Sequence, residues 1–175
     1  MLFMEGFLNP NEVLNQLELS ANMTAADFGS GSGGWAIPLA KRLEKGRVFA
    51  IDILEEPLSA LKGKANLEKL SNIQTILADV EKGTKLLDGS CDLVLMTNLL
   101  FQVDDIGVVF KEALRVLRKG GKILAVDWKE DAPFGPEEKR VSPEEVKKTA
   151  KELGSLVEKE FSAGSFHWGL ILGKL

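Results

Sequence analysis

The feature that most limits how this chain can fold is a glycine cluster, Gly29-Ser30-Gly31-Ser32-Gly33-Gly34, set directly after the strand-like run Thr24 to Phe28. A strand that ends in Gly-x-Gly-x-Gly and opens a helix lets backbone approach a ligand without an intervening Cβ. The helix start behind it presents free N–H groups and positive potential. A nucleotide-like molecule with a carboxylate or phosphate suits such a place. An ordinary glycine-rich turn has the same local pattern, so the residues around the cluster must decide.

The surroundings alternate. A helix is expected from about Trp35 to Leu43, broken at Gly46, with Pro38 near its start where proline is tolerated. Arg47 to Asp52 reads as a buried parallel strand, and Glu55-Glu56-Pro57 opens a helix with Leu58, Leu61 and Ala65 on one face. Ile73 to Leu77 and Cys91 to Met96 are further strands. Ile106, Val109, Ala113, Leu114 and Leu117 fall at helical spacing, Gly120-Gly121 is expected to stop that helix, and Lys122 to Val126 is a fifth strand. Strands alternating with helices predict right-handed crossovers and a parallel sheet covered on both faces.

The remainder breaks the alternation. Ser142-Pro143-Glu144-Glu145 carries the signature of a capped helix start, and Gly154 stops that helix. Leu156 to Phe161 and Phe166 to Leu172 then form two strands whose short link makes them an antiparallel hairpin. Asn9-Pro10-Asn11-Glu12 reads as an N-terminal helix start, and Glu130 to Arg140 as the longest loop. The prediction is one α/β domain over 1–175, with a helix or cap in 1–20 and a Rossmann-like core in 21–175. Its doubly wound sheet is mostly parallel with an antiparallel C-terminal hairpin.

Composition removes several classes of function. The chain has 175 residues, 45% hydrophobic and 27% charged, which suits a folded domain rather than a disordered one. A net charge of −4 gives no reason to expect nucleic acid as a partner. One cysteine, Cys91, and one histidine, His167, make a poor metal site, and no metal is expected. The single cysteine fits a reducing cytoplasm. No apolar run is long enough to span a bilayer. Met1 to Phe7 is apolar but contains Glu5 and no basic start; it is expected to pack on the domain or cover a pocket rather than act as a signal peptide.

Asp52 ends the second strand about 20 residues past the glycines, where an acid can accept both hydroxyls of a ribose. The same spacing suits a dinucleotide site, and Gly29, Gly31 and Gly34 satisfy Gly-x-Gly-x-x-Gly. Asp27 before the glycines, Asp79 ending the third strand, and the closing hairpin in place of a second mononucleotide half argue against that reading.

Ala26-Asp27-Phe28-Gly29-Ser30-Gly31-Ser32-Gly33 resembles the first motif of class I S-adenosylmethionine-dependent methyltransferases. Ala50-Ile51-Asp52, Ala78-Asp79-Val80 and Cys91 to Leu100 are similar to their later motifs, and Leu117 to Ile123 to the segment leading into their fifth strand. The resemblance runs from about Asn9 to Leu175 and is strongest to the ubiquinone/menaquinone-biosynthesis-like branch. It implies the sheet order 3-2-1-4-5-7-6 and S-adenosylmethionine as cofactor, with S-adenosylhomocysteine as product. It implies that Gly29, Ser30, Gly31 and Gly33 lie against the methionine end of the cofactor and Asp27 beside its amino group. Asp52 would take the ribose, Ile53 would pack on the adenine, and Asp79 with the Val80 backbone would read its edge. Asn98 and Leu99 would sit near the methyl.

Phe101 and Gln102 stand where many relatives have histidines, so no general base is evident and no catalytic residue is assigned. Phe101, Gln102, Trp128 and Lys129 are the candidates for an acceptor pocket, because ligands of open α/β sheets bind beyond the carboxyl ends of the strands. Aromatic residues at that mouth point to a small, flat or apolar acceptor. For Trp35 and Trp168 the expectation is core packing, for His167 a structural or half-exposed histidine, and for Lys147, Lys148 and Lys151 a solvated helix face. Two other readings stay open: a cofactor-binding module without catalysis that needs a partner, a homodimer mate included, and a nicotinamide-dependent oxidoreductase.

Overall fold

The computed structural model describes residues 7–175. Met1 to Gly6, most of the apolar N-terminal segment, lie outside the described residues. A short helix α1 (Pro10–Leu14) opens the fold; the Asn9 side chain caps it by accepting the Asn11 N–H at 3.0 Å, with Pro10 in the first turn. Then follow β1 (Thr24–Phe28), α2 (Ala36–Arg42), β2 (Arg47–Asp52), α3 (Glu55–Leu67), β3 (Ile73–Leu77), β4 (Cys91–Thr97), α4 (Ile106–Val116), β5 (Leu117–Trp128), α5 (Pro143–Glu152), β6 (Ser155–Ala163) and β7 (His167–Lys174).

The seven strands form one sheet in the order β3-β2-β1-β4-β5-β7-β6. β1 to β5 pair in parallel, and β7 runs antiparallel to both β5 and β6. Strand alternation divides the core. Ala26, Phe28, Val94, Met96, Ile123, Ala125, Leu170 and Leu172 face α4 and α5. Ala25, Ala50, Leu93, Leu95, Leu124, Val126 and Ile171 face α1, α2 and α3. The amphipathic α4 buries Ile106, Val109, Phe110, Ala113 and Val116, each large side chain adding about 1.5–3 kcal/mol of transfer free energy. Among the described residues no helix is long and apolar enough to cross a membrane.

One junction departs from the sequence expectation. The helix before β5 does not run to Gly120-Gly121. It ends at Val116, and Leu117 is already extended at φ −72°, ψ 135°. The two glycines lie inside β5, where the pairing with β4 jumps from Cys91↔Leu117 to Leu93↔Lys122. A Cβ on Gly121 would come within 2.9 Å of the Arg118 carbonyl, so the residue there must be small. α5 starts as read, with Ser142 accepting the Glu145 N–H at 3.1 Å and Pro143 in the first turn.

Candidate cofactor cleft

The C-terminal ends of β1, β2 and β3 open into a cleft of about 320 Å³. Its lining includes Gly29, Gly31, Asp52, Ile53, Asp79, Val80, Leu99 and Gln102, all singled out from sequence. Leu54, Pro57, Ala78, Glu81 and Val103 complete it. These follow the strand ends by one to a few positions, and only the fold tells which of them turn inward.

The glycine loop is tightly built. Gly29, Gly31 and Gly33 have φ values of +71°, +53° and +95°. A Cβ on Gly29 would approach Leu99 Cδ1 to 2.8 Å, whereas Gly31 faces open space. The loop is tied to β2: the Gly31 N–H donates to Asp52 Oδ2 at 2.8 Å, and the Ser30 N–H donates to the Ile51 carbonyl at 2.9 Å. The other Asp52 oxygen accepts the Leu54 N–H at 3.0 Å, at the start of α3. Each carboxylate oxygen has a second lone pair, so Asp52 keeps acceptor capacity toward the cleft. Beside it, Ile53 and Leu54 are 61% and 60% exposed, an apolar shelf on the cleft wall.

Asp27 lies beneath the loop at the end of β1, wholly buried, and neither carboxylate oxygen has a hydrogen-bonding partner among the described residues. Burial, and then the nearby charge of Asp52, push its pKa up to about 8. A buried acid without a donor costs free energy unless something supplies one. At the far end, Asp79 Oδ1 accepts the Glu81 N–H at 3.0 Å and Oδ2 pairs with Lys82 at 3.2 Å. Glu81 in turn accepts the N–H groups of Asp104 and Asp105, at 3.2 and 2.8 Å, which joins the segment after β3 to the one before α4.

Several expected site residues stand elsewhere. Ser30 is buried and does not line the cleft. Gly33 meets α3 instead: a Cβ there would land on Leu61 Cδ1 and lie 3.3 Å from Ile37. Asn98 has φ +50° and its side-chain oxygen is buried without a donor among the described residues; the adjacent Leu99 is what reaches the cleft. Phe101 is not part of the lining.

Trp128 and Lys129, expected on the acceptor side of the cleft, do not line it either. Trp128 has the strand parity of Leu124 and Val126 and therefore faces the α2 side, against His167 with ring centroids 4.1 Å apart and the rings tilted by 40°. A Cβ on Gly135 would come within 2.6 Å of the indole, so loop backbone covers that ring. The Lys129 amine turns outward to Ser162 Oγ at 2.8 Å and the Ser165 carbonyl at 3.1 Å. Among the described residues no aromatic side chain lines this cleft, and its exposed apolar surface is aliphatic.

His167 is a buried structural histidine rather than a half-exposed one, with no partner on either ring nitrogen among the described residues. Burial, then the charge of Lys129, hold its pKa down to about 4, so the ring is neutral at pH 7. Trp35 and Trp168 are core residues, the latter donating Nε1–H to the Val141 carbonyl at 3.0 Å. Cys91 is buried and unpaired. Among the described residues no cluster of His, Cys, Asp or Glu could hold a metal ion. The residue that sequence reading missed is Asp127, wholly buried at the end of β5, whose pKa rises to about 6 through burial, countered by N–H donors from Trp128 and Leu100. An acid interrupting the apolar run Ile123 to Val126 was its signal.

An orphaned acid under a glycine loop, an acid at the end of each of β2 and β3, and an aliphatic shelf between them fit an adenosyl amino acid. Residues 26–125 match the family model described as a methyltransferase domain. The chain belongs to that family. Its sheet order and glycine loop are those of the class I S-adenosylmethionine-dependent methyltransferases. It is 33% identical over 123 residues to a ubiquinone/menaquinone biosynthesis C-methyltransferase of Rickettsia typhi, covering 67% of this chain and 49% of that protein. It is 25% identical over 125 residues to a demethylmenaquinone methyltransferase of Oceanobacillus iheyensis, covering 71% and 52%. The chain thus spans about half the length of these curated relatives. Among solved structures, a SAM-dependent methyltransferase from Aquifex aeolicus superposes with a TM-score of 0.89 at 27% identity, covering 96% of this chain and 90% of that one.

Proposed function

We propose that this methyltransferase-family chain transfers a methyl group from S-adenosylmethionine to a ring carbon of a small quinol-type acceptor. The observation that carries the cofactor half is the buried, unpartnered Asp27 beneath a cleft whose ends are marked by Asp52 and Asp79. Asp27 would accept from the cofactor's ammonium group, Asp52 from the ribose hydroxyls and Asp79 from the adenine amine. Ile53 and Leu54 would give the flat ring an apolar contact. Gly31, with open space where a Cβ would be, leaves room for the methionine portion. When bound, the cofactor supplies an electrophilic methyl on a sulfonium that departs as a neutral thioether. Four acids around the site, Asp27, Asp52, Asp79 and Glu81, favour a cation there.

The acceptor half rests on the relatives and on what the cleft lacks. No histidine lines it, and each Glu81 oxygen already accepts one backbone N–H. The acceptor must therefore bring its own nucleophilicity, as a phenolate-type ring carbon does. The protein's part is proximity and alignment, which can supply a large share of the rate enhancement. A carbon–methyl bond forms as the sulfur–methyl bond breaks, and the ring proton leaves to solvent. A small acceptor also suits a chain with no basic surplus.

The test is calorimetric titration with S-adenosylmethionine, S-adenosylhomocysteine and NAD, followed by methyl transfer to demethylquinols. Micromolar adenosyl binding with turnover is the expected result. Adenosyl binding without turnover on any quinol would favour the non-catalytic cofactor module, and NAD binding alone would overturn the reading.

A further inference from the structure

We propose that Asp127 is a positioning residue, whose carboxylate at the end of β5 sets the turn after β4 that walls the cofactor cleft. The inference deepens the cofactor reading above and concerns the same cleft.

β4 ends at Thr97, and the chain must then turn sharply to bring Leu99 against the glycine loop. The turn begins with Asn98 in the left-handed region, φ +50°, a conformation asparagine tolerates better than most residues. The Asn98 N–H still pairs with β5, donating to the Val126 carbonyl at 2.8 Å. Beyond that point the strand ladder is lost, and the next N–H groups need other acceptors. Asp127 provides them. Its Oδ2 accepts the Leu100 N–H at 2.9 Å, and its Oδ1 accepts the Trp128 N–H at 2.8 Å.

The contact is set deep in the protein. Asp127 and Leu100 are both wholly buried, so solvent cannot replace the bond. Between Asn98 and Leu100 sits Leu99, whose Cδ1 fills the space a Cβ on Gly29 would need. Leu99 therefore closes one wall of the cleft, and its backbone is held on one side by the β5 ladder and on the other by Asp127. The Gln102 side chain completes the turn, donating to the Asn98 carbonyl at 2.6 Å.

Chemistry specifies an ionised acid at this position. N–H groups converge on both oxygens, so both must accept. An asparagine offers one oxygen and one NH₂, and the NH₂ would face an N–H donor. Asp127→Asn, nearly equal in volume, thus tests the acceptor pattern without opening a cavity.

The experiment compares wild type, Asp127→Asn and Val146→Ala. The last trims a buried α5 side chain of the same core that makes no part of the turn. Amide hydrogen exchange at Leu100 should speed at least tenfold in Asp127→Asn. Val146→Ala should show no such local increase. The dissociation constant for S-adenosylhomocysteine, measured well below the unfolding temperature, should rise about tenfold for Asp127→Asn and stay within twofold for Val146→Ala. Unchanged exchange at Leu100 would overturn the proposal. So would faster exchange with wild-type affinity, because the turn would then not govern the cleft. If wild type itself binds no adenosyl ligand, the cofactor reading fails, and the exchange result alone decides whether Asp127 holds the turn.

Discussion

The Gly31 N–H donates to Asp52 Oδ2 at 2.8 Å, so the acid expected to meet a ribose also latches the glycine loop. Both effects disappear in Asp52→Ala. Loss of a charged hydrogen-bonding partner costs about 1.5–3 kcal/mol, which is roughly 10- to 100-fold in affinity. Calorimetry should show S-adenosylhomocysteine binding weakened by that factor. Wild-type affinity in the variant would remove Asp52 from the site.

Asp27 makes the cofactor site sensitive to pH. With its pKa raised to about 8, it is protonated at pH 7 in the empty protein, and an arriving ammonium group favours the ionised form. Affinity for S-adenosylhomocysteine should therefore rise from about pH 6 toward pH 8, above which the ligand's own ammonium group is lost, with proton release on binding near pH 7. Unliganded stability follows the opposite course. The folded state holds a proton that the unfolded state gives up near the ordinary value of 3.8, so stability is fullest below about pH 4 as far as this group is concerned. It falls as pH climbs toward 8. Asp27→Asn should flatten both profiles. Thermal unfolding of the two proteins at pH 5 and pH 8 measures the second.

Gly31 and Gly33 should respond differently to alanine. At Gly33 the added Cβ strikes Leu61 and the backbone has φ +95°, so the cost is overpacking plus strain. Such a change typically destabilises by about 1–3 kcal/mol and will lower the unfolding temperature. At Gly31 there is space, and φ is +53°, so stability should fall less. A Cβ there would enter the space left for the methionine portion, so cofactor affinity should fall more. Equal stability losses in the two variants would contradict this division.

The acids at the strand ends were legible because each closes an apolar run: Asp27 on β1, Asp52 on β2, Asp79 just past β3. The parallel sheet and its closing hairpin were equally visible as a change in the rhythm of hydrophobic runs. What was hidden belongs to contacts between elements distant in sequence. Gly33 looks like a ligand-facing glycine until Leu61 of α3 is packed on it. Trp128 sits at the right end of its strand, but strand parity sends it to the α2 side and onto His167. Gly120-Gly121 reads as a helix stop in sequence, whereas the helix ends four residues earlier; inside β5, Gly120 takes a φ of +77° and Gly121 relieves crowding against the Arg118 carbonyl. Asp127 follows the same rule as the other acids and could have been found by applying it to β5.

Arg140 organises the loop that covers Trp128. Its Nε donates to the Pro136 carbonyl at 2.9 Å. Nη1 reaches the carbonyls of Lys129 at 2.6 Å, Glu130 at 3.2 Å and Ala132 at 2.9 Å, and Nη2 that of Phe134 at 2.9 Å. A planar guanidinium can serve so many carbonyls at once, whereas the three donors of a lysine radiate from a single point. Arg140→Lys should therefore release the loop while keeping the charge. Protease cleavage next to Phe134, already 55% exposed, should accelerate. Trp128 should lose the cover of Gly135, shifting the tryptophan emission to the red, while Trp35 and Trp168 stay buried in the core. Adenosyl binding should stay within twofold, because no residue of this loop lines the cofactor cleft. A large loss of cofactor affinity would mean that the loop bears on the cleft through Trp128 and the end of β5. In that case Arg140 and Asp127 would act on one structural unit.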